Sequence, residues 1–242
     1  MRVNHVLLAT IGLVATLPAL FGAEITGKVV VKGTPKAELT IDMGADPKCG
    51  ALHDKPVTTR HYVVDKDGGL ANVLVFIKSG LNEKNSPAPA TTPLLDQVGC
   101  EYTPYVMGVR TQQKLKIKNS DPTLHNVHAI PNSMRDKGTA NKGFNLAQPI
   151  KDMVTEKSFD APEVAVKFKC DVHPWMFAYV GVFDHPFYAV TEKDGTFKIT
   201  GVPKGKYTLE AYHVKTHVAN PGVAQEITVD GDAKADFTIE LK

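Results

Sequence analysis

A cysteine, a histidine and a methionine stand three residues apart in "CDVHPWM", as Cys170, His173 and Met176. A thiolate, an imidazole and a thioether can all hold a soft or borderline metal ion, and a loop between two strands can turn the three toward one point. A second imidazole is on offer in "LKIKNSDPTLHNVHAIP", where His125 or His128 follows a turn at Asn119 to Pro122. Two imidazoles and one thiolate in a trigonal set, with a weak and long thioether bond, suit copper cycling between its monovalent and divalent states. Zinc more usually takes four strong nitrogen, sulfur or carboxylate ligands. A nucleophilic Cys170–His173 pair is the competing chemistry, because an adjacent imidazolium lowers a thiol pKa. No third orienting residue or oxyanion loop accompanies it, so no enzyme activity is expected. Taken singly, Cys170 is a small buried hydrophobe and Met176 a core filler; only their joint spacing speaks for a site.

The elements that must position these side chains read as strands. In "EVAVKFKCDVH", Val164, Val166, Phe168 and Cys170 share one face, while Lys167 and Lys169 point the other way, so Cys170 ends a core-facing row. "FAYVGVF" resumes a strand after the loop. Period-two patterns also cover Ile25 to Val31, Tyr62 to Val64, Val73 to Ile77, Tyr105 to Val109 and Leu115 to Ile117, and no long, well-capped amphipathic helix is evident. Two passages lack the signal: the Pro/Ala/Thr-rich stretch 82–93, and Ser133 to Lys151, which leaves room for a short helix. From Phe187 onward, turns at Asp194-Gly195 and Pro203/Gly205 separate three strands, and "QEITVDGDAKADFTIELK" adds a hairpin.

Composition narrows the class. Residues 1–23 read as a secretory signal: Arg2, an apolar run from Val6 to Leu20 broken by Gly12 and Pro18, and a small-residue end at Gly22-Ala23. Phe21 is unfavourable near the cut, which keeps an uncleaved anchor as the alternative. A periplasmic or secreted protein is expected, with no membrane span once the signal is removed. Cleavage lowers the formal charge from +2 to +1, too balanced for nucleic-acid binding. Of three cysteines, Cys49 and Cys100 lie in turn-rich surroundings and are expected to pair, leaving Cys170 a thiol. Closing that loop contributes roughly 4 kcal/mol in the chain-entropy account. His53, His61, His185, His213 and His217 read as ordinary surface or hydrogen-bonded histidines, although His213 and His217 could make a chance secondary metal site.

"NSDPTLHNVH" followed by "CDVHPWM" resembles the cupredoxins, most closely the amicyanin-like type, in which the first histidine opens an H-N-V-H string and the ligand loop is C-x-x-H-x-x-M. The resemblance implies one mononuclear type 1 copper held by His125, Cys170, His173 and Met176, with Asn126 steadying the thiolate and its loop. His128 falls outside that set, as a packing or surface histidine. "DG-x-F-x-I-x-x-V-P-x-G-x-Y-x-L", standing at residues 194–209, resembles the transthyretin-like domains called carboxypeptidase regulatory-like and implies a fold with no activity attached. The expected architecture is all-β: an N-terminal β segment over 24–59, whose opening "EITGKVVVKGTP" has a similar texture to the C-terminal part so that residues 24 to about 40 could pack against either domain, a cupredoxin Greek-key sandwich over 60–185, and a small transthyretin-like sandwich over 186–242. The function implied is an exported blue copper protein that carries single electrons to or from a redox protein partner. A periplasmic copper carrier, or a non-redox binding or adhesion module on the same scaffold, is the alternative. The stretch from Ser79 to Cys100, the cysteine pair and the C-terminal sandwich depart from a minimal cupredoxin and bear on the partner more than on the copper. Trp175, with Pro174 and Phe177, is read either as an apolar rim around an exposed His173 edge or as an anchor against the C-terminal sandwich.

Overall fold

The computed structural model describes residues 22–82, 88–217 and 220–241. The expected signal therefore lies, apart from Gly22 and Ala23, outside the described residues. Among the described residues no helix is long and apolar enough to cross a membrane, and the chain is all-β. Two strands come first, β1 (Ala23–Lys32) and β2 (Val73–Ser79). Nine follow: β3 (Leu94–Val98), β4 (Glu101–Thr103), β5 (Val106–Arg110), β6 (Leu115–Asn119), β7 (His125–Ile130), β8 (Phe144–Gln148), β9 (Val154–Lys157), β10 (Glu163–Lys169) and β11 (Phe177–Phe183). Six close the chain: β12 (Tyr188–Val190), β13 (Thr196–Val202), β14 (Gly205–His213), β15 (Val223–Val229), β16 (Ala233–Lys234) and β17 (Phe237–Glu240).

Strand pairing redraws the expected domains. The nine middle strands form two sheets of their own, ordered β5-β11-β10-β7-β8 and β4-β3-β6-β9. The first two strands pair with the last six: β1, which could have gone to either domain, lies between β13 and the parallel β16 and β17, and β2 lies between β12 and β14. Residues 73–79, expected in the middle domain, thus belong to the C-terminal sandwich, into which the middle sandwich is inserted. The reason is slot filling. The stretches around Asp194-Gly195 and from Asp230 to Asp236 were expected to close hairpins, yet β12 and β13 go to opposite sheets, as do β15 and β17, because β1 and β2 take the partner positions.

The inner sheets of the two sandwiches pack on each other, which explains why their strands are apolar on both faces. In β2, Val73, Val75 and Ile77 enter the C-terminal core, while Leu74 and Phe76 meet Tyr179 and Phe183 of β11 in a separate cluster. On the opposite face of β11, Ala178, Val180 and Val182 line the middle core. Gly108 and Gly181 pair in register at this contact. A Cβ on Gly108 would come within 2.4 Å of the Tyr188 ring, so glycine here is what lets the sheets approach.

Two local expectations change. Residues 133–151 hold the strand β8 and no helix, and Tyr62 to Val64 contributes only an isolated bridge from Val64 to Leu70. His213, at the end of β14, is fully buried, and burial, with His217 and Lys215 nearby, pushes its pKa down to about 3 from 6.5. Between those two values the unfolded chain binds a proton that the folded chain does not. Stability therefore falls as the pH drops, by roughly 1.4 kcal/mol per pH unit from this group. Urea unfolding at a series of pH values between 6.5 and 4.5 should show His213→Gln losing stability less steeply than the native chain; parallel losses would reject burial of His213 as the cause.

Candidate metal centre

The site sits at one end of the middle sandwich, where β7 begins and the β10–β11 loop turns. Its delivery involves a bulge. Ala165 takes a left-handed φ of 66°, and the β10–β11 register shifts between Glu163 and Val166. Val166, Phe168 and Cys170 therefore point into the middle core, whereas Val164 turns to the cluster between the sandwiches rather than sharing their face as simple alternation predicts. Past Lys169 the chain turns tightly: the Met176 N–H donates to the His173 carbonyl (2.9 Å) and the Cys170 N–H to the Met176 carbonyl (3.2 Å). Pro174, which has no N–H to give, occupies the turn.

His125, Cys170, His173 and Met176 are all buried. One ligand atom from each of His125, Cys170 and His173 lies within 4.8 Å of the others. Met176 shares the apolar cluster of Cys170. His128 stands apart, half-exposed, with Nδ1 2.9 Å from Asp171 Oδ2. His213 and His217 form no metal cluster with a third ligand among the described residues; His217 Nδ1 accepts the His213 N–H at 3.2 Å.

Each imidazole is held from behind by a carboxylate. His125 Nε2 donates to Asp121 Oδ2 and His173 Nε2 to Asp46 Oδ2, both at 2.9 Å. The His173 hydrogen bond holds Asp46 below its ordinary pKa. Burial works to raise that of Asp121, yet the His125 hydrogen bond and the Cys100 and Gly99 amides outweigh it and keep it low. Both acids are thus ionised near neutral pH and can only accept, which assigns the imidazole protons to Nε2. The two Nδ1 atoms then face each other as bare lone pairs 3.0 Å apart, with Cys170 Sγ 3.7 Å from that of His173. Burial raises the Cys170 thiol pKa, but the adjoining His125 ring first, and then the Asn126, His173 and Val172 amides, more than offset this and bring it to about 7. Three electron-pair donors thus come together at one buried place, and a cation there would satisfy all of them. Burial disfavours a second proton on His125, but hydrogen bonds to Asp121 and Cys170 outweigh burial and raise the His125 pKa.

Sequence reasoning missed both carboxylates. Asp121 was findable, four residues before His125 in the same turn. Asp46 was visible only as a helix-capping residue, its side chain accepting the Lys48 N–H; nothing local announces a partner 127 residues away. The bond between Cys49 and Cys100 forms as expected, with S–S at 1.98 Å, and Cys49 Sγ lies 3.5 Å from His173 Nε2. Trp175 does border His173, but the His173 edge is buried rather than exposed. The Nε1 of Trp175 donates to the Cys100 carbonyl (3.1 Å), its ring lies 5.2 Å from that of His173, and it packs on the middle core rather than on the C-terminal sandwich.

The chain matches no protein-family profile and no curated protein. Among solved structures it is similar to a copper-containing nitrite reductase from Thermus scotoductus SA-01, at 14% identity over 43% of this chain and 25% of that one, with a TM-score of 0.34. It is similar to an amicyanin in its Cu(I) form, at 16% identity over 45% of this chain and 97% of the other, with a TM-score of 0.32. A purple cupredoxin from Nitrosopumilus maritimus shares 23% identity over 34% of this chain and 81% of its own, with a TM-score of 0.27. The chain spans about a quarter of the nitrite reductase.

Asn126 ties the ligand loop to β7. Its backbone N–H lies 3.4 Å from Cys170 Sγ, its Nδ2 donates to Asp171 Oδ2 (3.1 Å), and its Oδ1 accepts the Asp171 N–H. Asp171, held well below the usual carboxylate range by Lys169 first and then by Asn145, Asn126 and His128, is the hub of that tie. Asn126→Ala should cost about 1–3 kcal/mol. At about 2–4 °C per kcal/mol that is a visible drop in a thermal melt. It should also speed labelling of Cys170 by a thiol reagent in metal-free protein; an unchanged labelling rate would show that Lys169, Asn145 and His128 hold the loop without it.

Proposed function

We propose that this is an exported mononuclear copper protein that carries single electrons. The observation that carries the reading is the pair of bare, carboxylate-backed Nδ1 atoms facing each other beside the Cys170 sulfur. The donor set fits copper: two imidazole nitrogens and a thiol whose pKa of about 7 makes the thiolate readily available, with one thioether in the same loop. His125, Cys170 and His173 would hold the ion and Met176 would tune it. Bound there, copper supplies one-electron chemistry between Cu(I) and Cu(II).

The chain's own residues do the rest. Asp121 and Asp46 fix the proton of each imidazole on Nε2, so both Nδ1 lone pairs stay directed inward. Two backbone hydrogen bonds and Pro174 stiffen the loop, so both oxidation states would meet nearly the same cage and little rearrangement would oppose transfer. Burial of all four side chains excludes water. Leu124 and Val172, adjoining His125 and His173, are exposed large apolar residues, and with exposed Pro174 they offer a redox protein partner a surface close to the ion. Export is supported by the Cys49–Cys100 bond, since such bonds persist in oxidising compartments. We assign no catalysis; all four side chains of the donor set are buried.

Purified protein given Cu(II) should take up one copper per chain and turn intensely blue or green through thiolate-to-copper charge transfer. Cys170→Ser should abolish the colour, and Met176→Leu should keep the copper with a shifted spectrum. Absence of copper binding would reject the reading, and a colourless, tight Cu(I) complex that resists oxidation would favour a copper carrier over an electron carrier.

A further inference from the structure

The outer edge of His173 is closed by chain that lies outside the strands of both sandwiches. Between β1 and β2 the segment over residues 33–72 has no extended strand; it holds a single turn of 3₁₀-helix (Met43–Ala45) and α1 (Pro47–Gly50). Asp46 caps α1: its Oδ1 accepts the Lys48 N–H at 2.9 Å, which leaves Oδ2 for His173. Thr123 Oγ1 reaches the same Oδ2 at 3.3 Å. One turn on, Cys49 is bonded to Cys100, whose backbone N–H donates to Asp121 Oδ2 at 2.7 Å. Asp121 Oδ1 accepts the Gly99 N–H at 2.7 Å. One disulfide thus links the carboxylate behind His173 to the carboxylate behind His125. Met43 in the middle core and the contact of His53 Nε2 with the Gly99 carbonyl (2.7 Å) anchor the flanks of the segment, while Cys49 is its covalent tie, close to Asp46 in the chain.

We propose that Asp46 is a positioning residue for His173 and that the Cys49–Cys100 bond is the covalent strut that keeps it in place, so that a turn outside the sandwich sets the behaviour of the metal centre. The identity of the metal rests on the copper reading above. The physical reason is twofold. A carboxylate on Nε2–H fixes both the tautomer and the ring orientation and makes the imidazole a stronger donor through Nδ1. That added negative charge favours the more highly charged state of the ion over the less charged one. A turn without strand partners pays conformational entropy to hold a side chain still, and the crosslink removes much of that cost.

Asp46→Asn keeps size and shape while removing the charge, and Asp46→Glu restores it on a longer arm. In copper-loaded protein, Asp46→Asn should weaken Cu(II) binding about 10- to 100-fold. Cu(I) binding should weaken less, so the reduction potential rises; Asp46→Glu should recover part of the change. In metal-free protein, nitrogen NMR of His173 should report the Nε2–H tautomer in the native chain and a mixture of tautomers in Asp46→Asn. Cys49→Ala/Cys100→Ala should shift potential and tautomer in the same direction as Asp46→Asn. Should that pair fail to fold, reducing the disulfide of folded metal-free protein with a phosphine gives the same tautomer readout. Native values of potential and tautomer in Asp46→Asn would overturn the role of Asp46, and a native tautomer after loss of the disulfide would overturn the strut. If no copper binds, the copper reading fails, while the tautomer measurement still decides the role of Asp46.

Discussion

Two imidazole nitrogens that carry no proton face each other across 3.0 Å in a buried space, and the surrounding structure serves to keep them there. Left alone, either ring could flip its tautomer and satisfy the other by a simple N–H···N hydrogen bond. Two ionised carboxylates prevent this, because each can only accept and each takes the Nε2 proton. The lone pairs are thus held in a repulsive arrangement that a cation relieves, and the Cys170 sulfur completes it with a thiolate that is accessible near neutral pH. The cost of that arrangement is met by the fold: β7 fixes His125, the closed β10–β11 loop fixes His173, and both rings are buried.

The architecture around the centre has one side of the ligand-bearing sheet committed to the metal-site core and the other to the neighbouring sandwich. β11 serves both, with Ala178, Val180 and Val182 inward and Tyr179 and Phe183 outward. The sheet that carries the Cys170 loop is thereby packed on both faces. The opposite edge of the site is closed by the 46–49 turn and its disulfide, so His173 is buried rather than open to solvent.

Much of the candidate site was legible because it is local. Cys170, His173 and Met176 lie within seven residues, and a tight loop between strands allows few ways to arrange them. The strand content was legible for a similar reason, since alternation and apolar runs report one- or two-sided burial. The topology was not. "DG" at 194–195 does make a turn, and Asp194 Oδ1 accepts the Thr196 N–H, but which sheet each flanking strand joins depends on competition from β1 and β2. The face of Val164 was misread because the bulge at Ala165 inserts a residue into the count, and a bare run of alternating residues carries no sign of that.

The amino-acid sequence by itself determined the donor types, their spacing in the loop, the strand periodicity and the pair of cysteines in turns, because each of these follows from neighbours along the chain. The tertiary structure alone decided that a sandwich is inserted between β2 and β12, that Trp175 rests on the Cys100 loop, and that Asp46 stands behind His173. Those are contacts between residues 75 to 127 positions apart, as in Trp175 with Cys100 and Asp46 with His173. Their formation depends on which surfaces remain unpaired once the sheets have closed, and that is a property of the whole packed chain rather than of any segment of it.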